Sequence, residues 1–423
     1  MKEDFLHHIW KYKKYNGLNL ATVNGASIAV LDSGTHNESN GGPDFFNALL
    51  CIDDQKWAGN VEIHVKSSDW YLHNHQNDDL YNNVILHVVW EDDVEVYNKD
   101  NSPIPTLRIK DFVDTNFFAN YQKLSNSKNS LNCQGQLQDI PGIIQNNWLE
   151  RLYFERLEKK ATEIEQVLKS TKNDWEAVLF HMLCRSFGLN TNGEAFYSLA
   201  QSIDFSVLRK CTDQQQRLEA LLLGQAGLLE DSLDHEYANT LQEEYHYLKT
   251  KFSLDNTKVL PVNFFRLRPS NFPTVRLVQL AALYATKPSL FSAVTKAKSL
   301  LELMNLLDVK PNSFWETHYS LTKTSKKKSK RLSKSFKELL IINTLLPIRF
   351  AYQKYTNEAA EDKAVALITS LSAEDNAIVK RFKKEKITIK NAMESQAVIQ
   401  LFTKYCSNNR CLQCGFGNYL LKN

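Results

Sequence analysis

The chain reads as an α+β protein, a mixed sheet with flanking helices at the N-terminus followed by a mainly α-helical domain. Three features predict this. Up to about residue 115, short β-branched and aromatic runs alternate with turn residues; beyond about residue 140, apolar residues recur at helical spacing. The charge also changes sign. Residues 1–115 hold 9 Lys and Arg against 18 Asp and Glu, a net of −9, whereas the remainder holds 42 against 30, a net of +12. At 423 residues there is room for two or three domains.

In chain order, Lys2–Tyr15 sets Phe5, Ile9 and Tyr12 at helical spacing and predicts a leading helix. The runs SIAVLDSG, NALLCIDD, NVEIHV, NVILHVVWEDDVEVY and PIPTLRIKDF follow as strands within a first domain of residues 1–115. Gly41-Gly42-Pro43 forces a turn, Asp44 opens one strand, and Ala58-Gly59-Asn60 leads into its partner, Val61–Val65. Residues 116–140, with NYQKLSNSKNSLN, read as a polar connector. Residues 141–405 read as helical. Trp148, Leu149, Leu152 and Leu157 share a face there, and Glu155 and Lys159 suit an i,i+4 pair. Further helices are expected near 174–187, 194–202, 214–229, 238–252, 273–286, 290–305, 334–345, 358–370, 373–384 and 391–404. Residues 406–423 form a C-terminal cysteine segment, and no repeat period stands out.

The chemistry concentrates between residues 40 and 90. Residues two apart on a strand share a face, so Glu62, His64 and Lys66 point the same way, across a hairpin from Asp44. Two carboxylates converging with an imidazole suit a divalent cation such as Mg²⁺ or Mn²⁺, which activates water and neutralises developing phosphate charge. His64, His73, His75 and His87 fall within 24 residues of one another. If they converge, neutral imidazoles tilt the preference towards Mn, Fe or Zn. Against this, His73 and His75 sit in a polar loop, and a strand histidine such as His87 is as readily a satisfied core residue. Asp44 alone could serve as a turn carboxylate.

Pro43-Asp44 with Glu62-Ile63-His64 resembles the PD-(D/E)XK nuclease superfamily, where one acid starts a strand and an acid-X-Lys follows on the next. The resemblance covers about 100 N-terminal residues. It implies a restriction-endonuclease-like mixed sheet, a metal held by Asp44 and Glu62, and hydrolysis of a phosphodiester. The family lysine falls at His64, with Lys66 one step further along the same face. An acid on the leading helix, present in some members, matches Glu3. The chain also resembles an uncharacterised bacterial domain-of-unknown-function family through Gly42–Phe45, Gly59–His64, Ser68–Trp70, His73–His75, Asn83–Val89, Asn271–Leu277 and Cys406–Cys414.

Cysteines form a second constellation. Cys406, Cys411 and Cys414 read C-x4-C-x2-C, a spacing that lets thiolates converge on a soft or borderline ion, and Cys133 is the candidate fourth ligand. Cys51, Cys184 and Cys211 sit in apolar or helical contexts and read as small core hydrophobes. One upstream cysteine with three near the C-terminus resembles cluster-stapled PD-(D/E)XK nucleases, in which an iron–sulfur cluster ties the domain ends together. The downstream spacing differs from theirs, so zinc and an iron–sulfur cluster both stay open.

Basic runs outline a nucleic-acid footprint. Lys323–Lys337 carries eight positive charges and no acid, with Lys326, Lys327, Lys328, Lys330 and Arg331 at its centre; Lys380–Lys384 adds a smaller cluster. Arg266, Arg268 and Arg276 flank two prolines and could present guanidinium groups to phosphate. A solvated loop, or arginines paired to nearby acids, is the plainer alternative. No G-x-S-x-G, G-x-x-x-x-G-K-[ST] or G-x-G-x-x-G motif occurs, so the common nucleophile-elbow and nucleotide-binding classes lack support. The N-terminus is charged where a signal peptide is apolar, and no apolar run reaches about 18 residues, so a cytoplasmic chain with no membrane partner is expected. The functional expectation is a metal-dependent nuclease. The alternatives are a non-catalytic nucleic-acid- or protein-binding adaptor on a degenerate nuclease fold, and a metal-dependent hydrolase of small phosphoesters.

Overall fold

The computed structural model describes every residue except 39–40, 231–234 and 359–360. It divides into two compact units: residues 1–148 with 402–423, and residues 149–401.

The first unit is built on one mixed sheet. Helix α1 (Glu3–Lys11) buries Phe5, Leu6, Ile9 and Trp10, the period expected of a helix with one apolar face. The strands are β1 (Leu20–Ala21), β2 (Ser27–Asp32), β3 (Thr35–His36), β4 (Phe45–Ile52), β5 (Gln55–Lys66), β6 (Val84–Glu91) and β7 (Thr106–Arg108). Their order is β1-β2-β4-β5-β6-β7, with β3 paired to β4. Pairings from β1 through β5 are antiparallel, whereas β5–β6 and β6–β7 are parallel. The parallel step needs a crossover. It is supplied by the short helix α2 (Asp69–Leu72) and two 3₁₀ turns, His75–Asn77 and Asp79–Tyr81. Strand β6 is buried through Trp90, as a strand covered on both faces must be.

Glycine is required at one point of this hairpin. A Cβ on Gly59 would stand 2.4 Å from Ile85 Cγ2 and 2.7 Å from the Asn83 carbonyl oxygen, so only glycine lets β5 approach the start of β6. The register then sets Phe45 opposite Val61 and Glu62 beside His87.

Residues 116–140 depart from the expected connector. They begin inside helix α3 (Thr115–Ser125), whose N-terminus is capped by the Asp114 carboxylate and which buries Phe117, Tyr121 and Leu124 against the sheet core. The polar letters between those three residues obscure the 3.6-residue period. The C-terminal helix Gly415–Lys422 returns to the same core through Leu421.

The second unit is predominantly helical. Helix Trp175–Phe187 is capped by Asp174, and Pro273–Thr286 is buried along almost its whole length. The helix expected over 290–305 splits into Leu290–Lys296 and Leu300–Leu306, because Ser299 caps the second piece by accepting from the Glu302 N–H. Of the helix expected over 358–370, residues 359–360 lie outside the described residues; the helix runs Glu361–Thr369. Glu219 is buried in this unit and accepts from Tyr237 Oη at 2.5 Å, Trp315 Nε1 at 2.7 Å and Gln215 Nε2 at 2.9 Å. Among the described residues, no helix is long and apolar enough to cross a membrane.

Candidate metal centre

The hairpin and the crossover meet at a cluster of acids and imidazoles. Asp44, just ahead of β4, and Glu62 on β5 are tied together through backbone N–H groups of the facing strands. The Asp44 N–H donates to Glu62 Oε2 at 3.1 Å, and the Ile63 N–H donates to Asp44 Oδ2 at 3.0 Å. The other Glu62 oxygen, Oε1, lies 3.4 Å from both His64 Nε2 and His75 Nε2. His64 Nε2 is also 3.1 Å from His73 Nδ1. One ligand atom from each of His64, His73 and His75 thus falls within 4.8 Å of the others.

The crossover explains how this happens. The Asp69 carboxylate accepts from the Lys66 N–H and turns the chain out of β5. Helix α2 then brings His73 back towards the strand, and Asn74, in the left-handed region at φ 61°, reverses direction so that His75 also faces it. Trp70 and Tyr81 wall the site. The His75 ring stacks on Tyr81 with centroids 3.8 Å apart, and Trp70 meets both His75 and His87.

His87 holds a different place. Its Nε2 lies 2.9 Å from His64 Nδ1, so it is positioned to orient His64 rather than to join the trio. Lys66 is exposed and makes no side-chain contact with the cluster among the described residues. The rise and twist of β5 carry it out of the pocket that encloses Glu62 and His64.

Two residues of α1 complete the surroundings. His7 Nε2 lies 3.2 Å from Asp44 Oδ2. Glu3, one helical turn earlier, is close enough to be raised in pKa by burial and then by the Asp44 charge. The nuclease resemblance nominates Glu3 as the leading-helix acid, and the i,i+4 spacing puts His7 on the same face, but the sequence does not single out His7 itself.

The electrostatics favour a cation. Burial, followed by the Asp44 charge, pushes the Glu62 carboxyl up to about 9. Burial and the neighbouring imidazoles push His64 down to about 3, and burial lowers His75 and takes His87 well below the ordinary range. For His7 burial acts downwards, but the hydrogen bond and charge of Asp44 outweigh it and the pKa rises. His64 and His75, held neutral beside Glu62 and Asp44, form a donor set in which a divalent cation can replace the Glu62 proton. His75 Nε2 and His87 Nδ1 are buried without a hydrogen bond, and the first of them is aimed at the cluster. A divalent ion held by His64, His73, His75 and Glu62, with Asp44 alongside, fits these donors.

A family model described as "Protein of unknown function (DUF2851)" matches residues 3–377. The chain belongs to this family. The match takes in α1, the hairpin and all four clustered histidines of this DUF2851 member, and it ends before Cys406. No curated protein and no solved structure matches the chain.

The remaining residues singled out by the sequence divide sharply. Arg276, expected to face phosphate, is instead buried: it donates to Asn271 Oδ1 and Gln279 Oε1 and lies 3.5 Å above the Phe336 ring. Lys330 is buried too, donating to the Glu316 and Lys328 carbonyl oxygens and lying 3.8 Å from the Tyr319 ring centroid. Both belong to apolar-lined packing, where a long cation buries its stem and finds fixed acceptors. Arg331 pairs with Asp308 and Lys327 with Glu316. Arg266, Arg268, Lys326 and Lys328 are exposed. Cys133, Cys406, Cys411 and Cys414 line one cavity in the first unit, whereas Cys184 and Cys211 are buried in the second and Cys51 lies half-buried on β4.

Proposed function

We propose that this protein is a divalent-metal-dependent hydrolase of phosphodiester bonds, acting on DNA or RNA as a divergent relative of the PD-(D/E)XK nucleases. The observation that carries the reading is the convergence of Asp44 and Glu62 with His64, His73 and His75 at the mouth of a β-hairpin. The element order also supports it: a leading helix, an antiparallel hairpin, a helical crossover and a parallel strand. The three imidazoles favour Mn²⁺ over Mg²⁺. Bound there, such an ion would lower the pKa of water and offset charge developing on phosphate.

The protein's own groups have distinct tasks. Glu62 and His75, whose Oε1 and Nε2 lie 3.4 Å apart, would supply ligand atoms, and His87 fixes the His64 ring through Nδ1. Asp44 spans the metal pocket and His7, so His7 is the imidazole placed to hand a proton to, or take one from, a reacting oxygen near Asp44. With His64 where the nucleases carry lysine, neutralising phosphate falls to the ion.

The test is cleavage of labelled single- and double-stranded DNA and RNA with Mn²⁺ or Mg²⁺, comparing wild type with Glu62→Gln and Asp44→Asn. Metal-dependent cutting lost in both variants is expected; cutting retained by purified Asp44→Asn/Glu62→Gln protein would refute the mechanism. A second reading is a non-catalytic adaptor on the same fold, favoured by the exposure of Lys66. Salt-sensitive binding of nucleic acid without cutting under any metal would select it.

A further inference from the structure

We infer that Lys14, Lys422 and His8 form a binding site for a phosphate dianion, either free phosphate or the terminal phosphate of a nucleic-acid strand. Lys14 follows α1 by three residues, and Lys422 lies in the last turn of the C-terminal helix Gly415–Lys422. Their ammonium groups stand within hydrogen-bond distance of each other, and among the described residues neither has a carboxylate partner. The first unit as a whole is acidic, with 14 Lys and Arg against 19 Asp and Glu. Neighbouring lysines do find acceptors there: Lys11 pairs with Glu38 at 3.2 Å, and Lys13 donates to the Val30 carbonyl oxygen at 3.3 Å. The dipole of a helix C-terminus accounts for the position of either Lys14 or Lys422, but not for contact between the two.

His8 is the second observation. It is 6% exposed, and its Nε2 is buried without a hydrogen-bond partner. The ring is held between those of Tyr12 and Phe117 of α3, with centroids 4.9 and 6.3 Å away. Burial, then the charges of Lys14, Lys422 and Lys11, push it down to about 4, so at pH 7 it is neutral and has one ring N–H to donate. The site is apart from the metal centre, because His7 turns to Asp44 whereas His8 turns to α3.

Two ammonium groups and an imidazole call for a small group with two negative charges and several acceptor oxygens. A phosphate monoester carries about −1.5 to −2 at pH 7 and three strong acceptor oxygens. A carboxylate or a backbone phosphodiester brings one charge and leaves the second lysine unpaired. A dianion bound here replaces repulsion between the lysines with two ion pairs that tie α1 to the C-terminal helix.

The full chain, kept in EDTA so that the metal centre cannot hold phosphate, is titrated with inorganic phosphate by calorimetry. It is also titrated, by anisotropy, with a labelled oligonucleotide ending in either a phosphate or a hydroxyl. Inorganic phosphate binding that falls by about tenfold or more in both Lys14→Gln and Lys422→Gln supports the site with free phosphate as its occupant. No binding of inorganic phosphate, but a preference for the phosphorylated oligonucleotide that both variants lose, supports it with a strand end instead. His8→Phe keeps the ring packing on Phe117, removes the nitrogen, and should weaken whichever binding is seen by about threefold. In phosphate-free buffer Lys14→Gln should melt above wild type, since it relieves the like-charge contact; this reading needs no ligand and shows that the variant folds. Equal binding by wild type and both variants, or binding by none of them, overturns the site. A failure of metal-dependent cutting leaves these readings untouched, because they are made without metal.

Discussion

Glu62 carries a quantitative link between proton and metal. In the metal-free protein its carboxyl is pushed up from 4.5 to about 9, first by burial and then by the Asp44 charge, so at pH 7 the folded state holds a proton that the unfolded chain has released. With folded pKa above unfolded pKa, stability falls as pH rises from about 4.5 and levels off above about 9. Between 4.5 and 7 the loss is on the order of 3 kcal/mol at 1.36 kcal/mol per unit. Glu62→Gln removes the titration, so the metal-free variant should be more stable than wild type at pH 8 and nearly equal to it at pH 4.5. A divalent ion must displace the same proton. Apparent Mn²⁺ affinity should therefore climb roughly tenfold per pH unit from 6 to 8, with about one proton released per ion. The lowered pKa of His64 and His75 keeps those ligands from adding to the count. Isothermal titration calorimetry in buffers of different ionisation enthalpy measures it directly. A proton count near zero at pH 7, or an affinity flat between pH 6 and 8, would refute this account of the site.

Other substitutions test neighbouring parts of the argument. His87→Ala should weaken Mn²⁺ binding by about 10- to 100-fold without abolishing it, because it removes the group orienting His64 rather than a ligand; equilibrium dialysis reads this. Gly59→Ala forces a Cβ against Ile85 and the Asn83 carbonyl and should cost about 2–4 kcal/mol in urea denaturation, with metal binding reduced alongside. Glu219→Ala leaves the buried donors of Tyr237, Trp315 and Gln215 without their acceptor and should cost about 3–5 kcal/mol, whereas Glu219→Gln keeps an acceptor and should cost less. Arg276→Ala should lower the melting temperature without changing the salt dependence of any nucleic-acid binding. Joint replacement of Arg266, Arg268, Lys326 and Lys328 should do the reverse.

The elements legible from sequence were those whose local pattern and tertiary role agree. The hairpin and β6, an apolar run broken only at His87, are both present, but the hairpin turns at Asp53-Asp54: Ala58-Gly59-Asn60, read as a turn, lies inside β5, where Gly59 serves close approach to β6 instead. Helix α3 was hidden because its buried Phe117, Tyr121 and Leu124 are interleaved with Asn120, Gln122 and Lys123 in a stretch that reads as polar. The acid–imidazole cluster was half legible. Strand parity put Glu62 and His64 on one face, but the same parity nominated Lys66, and parity is silent on how far a pocket extends along a strand. His7 went unnoticed because its partner, Asp44, lies 37 residues away and is reached only once α1 packs on the sheet. Arg276 and Lys330 misled for the opposite reason, since composition registers charge and cannot register the rings of Phe336 and Tyr319 that cover it.

The cost of the histidine cluster argues for a use. A fold seeking stability alone would not bury Glu62 beside Asp44, leave His75 Nε2 and His87 Nδ1 without hydrogen bonds, and wall them with Trp70 and Tyr81. Single unsatisfied atoms occur elsewhere, as at His181 Nδ1 and Tyr284 Oη, but the buried carboxylate Glu219 has three donors around it. The contrast separates a carboxylate ringed by donors from one set beside a second carboxylate and imidazoles held neutral. A cation is the partner that satisfies Glu62 and His75 together, because it replaces the proton on one and accepts the lone pair of the other.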